Sequence, residues 1–136
     1  ENDEQHGKTI DGQVTGFQKG RYLGTLDEVK ANISKWGDIH STEFMKRWFD
    51  NTMPSFKERI VAGYLDVDLV SSTKTCLKYL FPLVQPGGAL FSQDGHLPLI
   101  IDCLKDKRTW ESEVGCPPPA MHGLGYKKLV RIDKAR

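Results

Sequence analysis

Three carboxylates and their spacing carry the chemistry of this 136-residue chain. Asp66 falls where the apolar run Ile60-Val-Ala-Gly-Tyr-Leu65 ends, Asp68 lies two residues on, and Asp94 follows the apolar segment Ala89-Leu-Phe91. Strand side chains alternate with period two, so Asp66 and Asp68 point the same way if the segment stays extended. A right-handed crossover between parallel strands brings the second strand's end beside the first, at the sheet edge where ligands bind. That puts Asp94 beside the pair. With the amide of Gln93 these residues make an all-oxygen donor set, which suits Mg2+ or another hard cation. A plainer reading stands next to this one, because an aspartate at a strand end often caps the next helix or turns the loop. His96, just past Asp94, is either a proton-transfer residue or a solvated loop histidine.

The elements that must position these groups are legible around them. Thr25-Leu-Asp-Glu28 is a capping box. Leu26, Val29, Ile33 and Trp36 recur behind it at helical spacing, and Gly37 closes the helix. Ser41 to Lys46 is a strand candidate, and Lys46-Arg47-Trp48-Phe49 reads as a strand end whose aromatics pack inward. Asp50 to Pro54 is a turn cluster. Ile60 to Leu65 is apolar without alternation, as in a parallel strand covered on both faces. Ser71 or Ser72 is placed to cap the following helix, with Cys76, Leu77, Leu80 and Phe81 on its inner face and Pro82 helping to stop it. Pro86-Gly87-Gly88 reads as the turn into the strand Ala89–Phe91. Pro98 opens another helix, Cys116-Pro-Pro-Pro119 is a rigid connector, and Lys128 to Ile132 is a last strand at or near an edge. This order predicts an α/β layer fold, a mostly parallel sheet flanked by helices.

Composition narrows the function. Nineteen Lys and Arg against eighteen Asp and Glu leave a net charge of +1, so nothing in the balance points to nucleic acid or a membrane surface. No stretch is long and apolar enough to span a bilayer and no signal peptide opens the chain, which predicts a cytoplasmic protein. The three cysteines lack metal-type spacing and read as reduced thiols. Glu1 to Gly20 is polar, glycine-dotted tail and loop, and a start at Glu1 suggests a processed product or an excised segment.

The sequence resembles the macrocin O-methyltransferase-like (TylF-type) class I methyltransferases, which use S-adenosylmethionine and act on sugars. The resemblance rests on Gly20-Arg21-Tyr22, Thr25-Leu-Asp-Glu28-Val29 and Trp48-Phe49-Asp50-Asn51-Thr52-Met53-Pro54. It continues through Leu65-Asp66-Val67-Asp68-Leu69, Ser72-Thr73, Leu80-Phe81-Pro82 and Pro86-Gly87-Gly88. It implies a Rossmann-like fold, a sugar or glycosylated small-molecule acceptor, and a divalent cation, usually Mg2+, held by Asp66 and Asp94. Asp68 would then be the general base or would orient the acceptor. Two positions depart from the family pattern: Gln93-Asp94 stands where two adjacent acids are common, and Val70 where a tyrosine often follows. An amide oxygen at Gln93 would still ligate a hard cation, with less charge. The family's glycine-rich cofactor turn has no counterpart, since Gly12 and Gly16 follow no apolar strand. The expectation is therefore a polar segment over 1–19 and, over 20–136, the second half of the methyltransferase domain without its N-terminal cofactor-binding half. A chain of that kind is expected to be inactive alone. The rival expectation is a non-enzymatic half-domain, a dimerisation or interaction module that pairs its open strand edges with a second copy or with a separate chain. A metal-dependent hydrolase or lyase is disfavoured, because no phosphate-binding loop or paired nucleophile and base is present.

Overall fold

The computed structural model describes residues 7–16 and 23–136. The motif Gly20-Arg21-Tyr22 and His6 lie outside these residues. Helix α1 spans Leu26–Trp36 and carries the predicted capping box: the Thr25 hydroxyl accepts the Glu28 amide at 3.2 Å, and the Glu28 carboxylate accepts the Thr25 amide at 2.7 Å. Gly37 caps its far end in an extended rather than left-handed conformation. None of the helix's residues is fully buried: Leu26 and Ile33 are half-buried, while Val29 and Trp36 are exposed.

The predicted strand over Ser41–Lys46 does not form. Asp38 caps a short 3-10 turn at Ile39–Ser41, and its carbonyl takes the hydroxyls of Ser41 at 3.1 Å and Thr42 at 2.9 Å. Such local bonds compete with strand pairing, and 42–47 has no sheet neighbour among the described residues. Trp48 is 79% exposed instead of packed inward, while Phe49 meets the core. Phe49–Thr52 is a single helical turn, α2, tied to the next helix by a hydrogen bond of 2.8 Å from Thr75 to Asp50.

Four described strands form one sheet: β1 (Ile60–Leu65), β2 (Val84–Ser92), β3 (Met121–His122) and β4 (Val130–Asp133), in the order β1-β2-β4-β3. β1 and β2 are parallel, joined by helix α3 (Val70–Leu80). The other two pairings are antiparallel, so the sheet is mixed rather than mostly parallel. The reason lies in the C-terminal return: β3 and β4 are linked by the short loop 123–129, which suffices for antiparallel neighbours but not for a parallel crossover. The final strand thus sits next to the edge and not on it.

One face of the sheet makes the core. Leu65, Leu90, Val130 and Ile132 pack there with Leu77 of α3, Ile100 and Leu104 of α4 (Pro98–Lys105), and Trp110. Trp110 sits in a π-helical stretch, Thr109–Val114, that the sequence did not announce. Its indole N–H donates to the Leu104 carbonyl at 2.8 Å and its ring meets Phe81 edge-on at 5.2 Å. β1 is not covered on both faces as expected. Tyr64, which alternation places on the face opposite the core residue Leu65, is 59% exposed, and Val61 at the other end of the strand is 69% exposed.

Two local expectations also change. α3 begins at Val70 after Leu69, with no side-chain cap, so Ser71 and Ser72 lie inside its first turn. Pro86-Gly87-Gly88 is a bulge within β2 and not a turn before it, since Ile60 pairs with Val84 but Ala62 with Ala89. Gly87 takes φ 81° there. Pro98 does open α4. Among the described residues no helix is long and apolar enough to cross a membrane.

Candidate metal centre

Both strand ends of the parallel pair deliver acids to one edge. Past Leu65 the chain leaves the sheet through Asp66 and Val67, and Asp68 adopts the left-handed conformation with φ 57°. Few non-glycine residues hold that geometry, aspartate more readily than most, and its surroundings favour it. The surroundings here are Asp94, whose Oδ2 accepts the backbone amides of Val67 at 3.2 Å and Asp68 at 3.1 Å. Asp94 sits in the turn after β2, is 1% exposed, and offers its own carbonyl to the Leu97 amide that leads into α4. One carboxylate therefore stitches the end of β1 to the end of β2.

Ligand atoms of Asp66, Asp68 and Asp94 all lie within 4.8 Å of one another. Asp66 is exposed, Asp68 half-buried and Asp94 buried. Burial pushes the Asp94 carboxyl above its ordinary value. The amides of Val67 and Asp68 oppose that shift, the charge of Asp66 adds to it, and His96 works against it. The second oxygen, Oδ1, is buried and has no hydrogen-bond partner. A buried unpartnered carboxylate oxygen is costly. Three convergent carboxylates with one such oxygen fit a hard divalent cation, which binds oxygen ligands and offsets their mutual repulsion.

Gln93 stands beside this cluster. Its Nε2 donates to Asp66 Oδ1 at 3.0 Å, and its Oε1 accepts the Tyr64 hydroxyl. Gly95 cannot supply an acid in its place. Its amide donates to the Lys128 carbonyl at 2.9 Å, and a side chain would run into that carbonyl and the one before it. His96 is outside the carboxylate cluster. Its Nδ1 is buried without a partner, and its carbonyl accepts the Ile10 amide at 2.9 Å. That bond seats a small turn, closed by a bridge between Lys8 and Val14, against the loop after β2. The turn and the Tyr64 contact were not anticipated. Period-two spacing from Asp66 was the available signal for Tyr64, and the polar turn gave none.

A partly parallel sheet, helices against one face and acids at the ends of the parallel strands define a partial class I methyltransferase-like α/β fold. The chain superposes on the O-methyltransferase NovP with a TM-score of 0.67 at 22% identity, covering 82% of this chain and 46% of that one. The profile of the macrocin O-methyltransferase (TylF) family matches residues 6–113, most of the chain, which therefore belongs to that family. A curated relative from Streptomyces olivaceus, 8-demethyl-8-(2,3-dimethoxy-alpha-L-rhamnosyl)-tetracenomycin-C 4'-O-methyltransferase, is 32% identical over 85 residues. That alignment takes in 61% of this chain and 33% of the relative, so the chain spans about a third of the length of the protein it matches.

Proposed function

We propose that this chain carries the acceptor- and cation-binding part of an S-adenosylmethionine-dependent O-methyltransferase acting on a sugar hydroxyl of a glycosylated natural product. Residues 20–136 would be the second half of that domain, with 1–19 as a preceding polar segment. The observation that carries the proposal is the convergence of Asp66, Asp68 and Asp94 in a member of the macrocin O-methyltransferase family. The rhamnosyl group in the relative's name supports a sugar acceptor.

The methyl group of a sulfonium donor is already activated. The protein must align the acceptor oxygen and take its proton. Asp66 and Asp94 are the residues that would hold a divalent cation such as Mg2+, with buried Oδ1 of Asp94 as the oxygen that gains most. Such an ion supplies Lewis acidity, lowering the pKa of a chelated sugar hydroxyl. Asp68, with an oxygen within 4.8 Å of both carboxylates, would receive the proton. The bond from its backbone amide to Asp94 holds the Asp68 backbone in the left-handed conformation. His96 is the second proton-transfer candidate, through its buried Nδ1.

Saturation-transfer NMR with methyl α-L-rhamnoside tests this reading on the chain as it is. Contact with the sugar should require Mg2+ and vanish in the Asp66→Ala, Asp94→Ala double variant. Equal transfer with and without Mg2+ would sink the cation-chelation reading. A second reading, self-association through β1, is favoured by its place at the end of the strand order and by exposed Val61. Concentration-independent monomer in sedimentation would remove it.

A further inference from the structure

We infer that Gln93, expected from sequence as a cation ligand, is instead a positioning residue: Tyr64 holds its amide, and the amide in turn fixes the carboxylate of Asp66. The inference rests on the cation reading above.

The backbone sets up the contact. Tyr64 pairs with Phe91 in the parallel register, and the Gln93 backbone N–H donates to the Leu65 carbonyl at 2.9 Å, carrying the ladder one step past β2. With period-two alternation, Tyr64 and Asp66 share a side of β1, as Phe91 and Gln93 share a side of β2. Gln93 thus faces both Tyr64 and Asp66 across the strand gap. A long side chain reaches such diagonal neighbours.

Chemistry fixes which end of the amide does what. An ionised carboxylate only accepts hydrogen bonds, so the NH2 end must face Asp66, as the 3.0 Å contact has it. The oxygen is then left for the Tyr64 hydroxyl, which can donate. An oxygen engaged by a phenol is turned away from the ligand set. Asp66 is the exposed member of the three acids and the one most in need of orientation. Groups that orient metal ligands in this way commonly matter tenfold or more in affinity.

Tyr64→Phe separates the two roles. If Gln93 Oε1 were a ligand, removing the competing hydroxyl would leave Mn2+ binding equal or tighter. If Gln93 positions Asp66, Tyr64→Phe weakens Mn2+ binding roughly tenfold. Gln93→Ala should weaken it similarly, and the double variant no further, because both act through one contact. Mn2+ affinity is read by electron paramagnetic resonance, and the cation-free melting temperature should stay unchanged, since Tyr64 is 59% exposed. Equal or tighter binding in Tyr64→Phe overturns the inference. The relay is also read without cation, from the Gln93 side-chain NH2 signals, which should shift in both Tyr64→Phe and Asp66→Asn. If those signals ignore both changes, the relay is wrong even where Mn2+ binds. If they respond but the unmodified chain takes up no Mn2+, the relay stands and the cation reading alone falls.

Discussion

Asp94 reaches across the gap between two parallel strand ends to accept the backbone amide of Asp68 at 3.1 Å, while Asp68 holds φ 57°. A buried side chain on one strand end thereby sets the geometry of an acid on the other. One oxygen of this carboxylate accepts two backbone amides, and the other is buried without a hydrogen-bond partner.

Asp94→Ala leaves the amides of Val67 and Asp68 without their acceptor. The expected cost is about 2 kcal/mol of stability, measured by urea unfolding. Asp94→Asn keeps a carbonyl oxygen for both amides and removes the repulsion with Asp66. It should be as stable as the unmodified chain or more so, yet lose Mn2+ binding. A destabilised Asp94→Asn would show that the charge itself holds the turn.

Gly95→Ala tests the close approach behind the site. A Cβ at this position would lie 2.7 Å from the Lys127 carbonyl oxygen and 2.9 Å from that of Lys128. Overpacking of this kind costs about 1–3 kcal/mol. The turn bearing Asp94 should shift with it, so weaker cation binding is expected alongside a lower urea midpoint. An unchanged midpoint would mean that β4 yields freely.

Burial pushes the thiols of Cys76 and Cys103 up to about 11. Cys116 is only half-buried. The thiolate is the reactive form. At about pH 8, near the ordinary thiol value, a disulfide reagent should label Cys116 first and the other two only as the chain unfolds. Equal rates at all three would show that the α3 and α4 packing opens readily.

The hydrogen bond from Arg131 holds the Asp133 carboxyl below its usual value, and the contact with His122 helps. An acid depressed in the folded state stabilises the fold when ionised. That stability is fully present above the unfolded-state value and is lost as pH falls through the folded one. Asp133→Asn should therefore flatten the acid side of the stability–pH curve while changing the β3–β4 pairing little. An identical acid limb in the variant would show that Asp133 does not contribute.

Much of the fold was legible because it is written in neighbouring residues. The capping box at Thr25 and Glu28, the Pro98 helix start and the apolar run of β1 depend on local hydrogen bonding and side-chain pattern. The strand over Ser41–Lys46 failed for a matching reason, since a strand exists only with a partner and local bonds to Asp38 took its place. The bulge at Pro86-Gly87-Gly88 looked like a turn because glycine and proline mark both, and only pairing with β1 distinguishes them.

Which acids follow the ends of the parallel strands could be read from the chain alone, because each stands shortly after an apolar run. The partners of each acid come from the three-dimensional arrangement. Asp94 and Val67 are 27 residues apart, Gln93 and Asp66 are 27 apart, and Tyr64 and Gln93 are 29 apart. Register between β1 and β2 brings those pairs within hydrogen-bond reach, and it depends on the packing of α3 and the bulge at Gly87. A periodic pattern specifies which way side chains point along one strand. The partner a side chain meets is set by the neighbouring strand, through distances no local pattern contains.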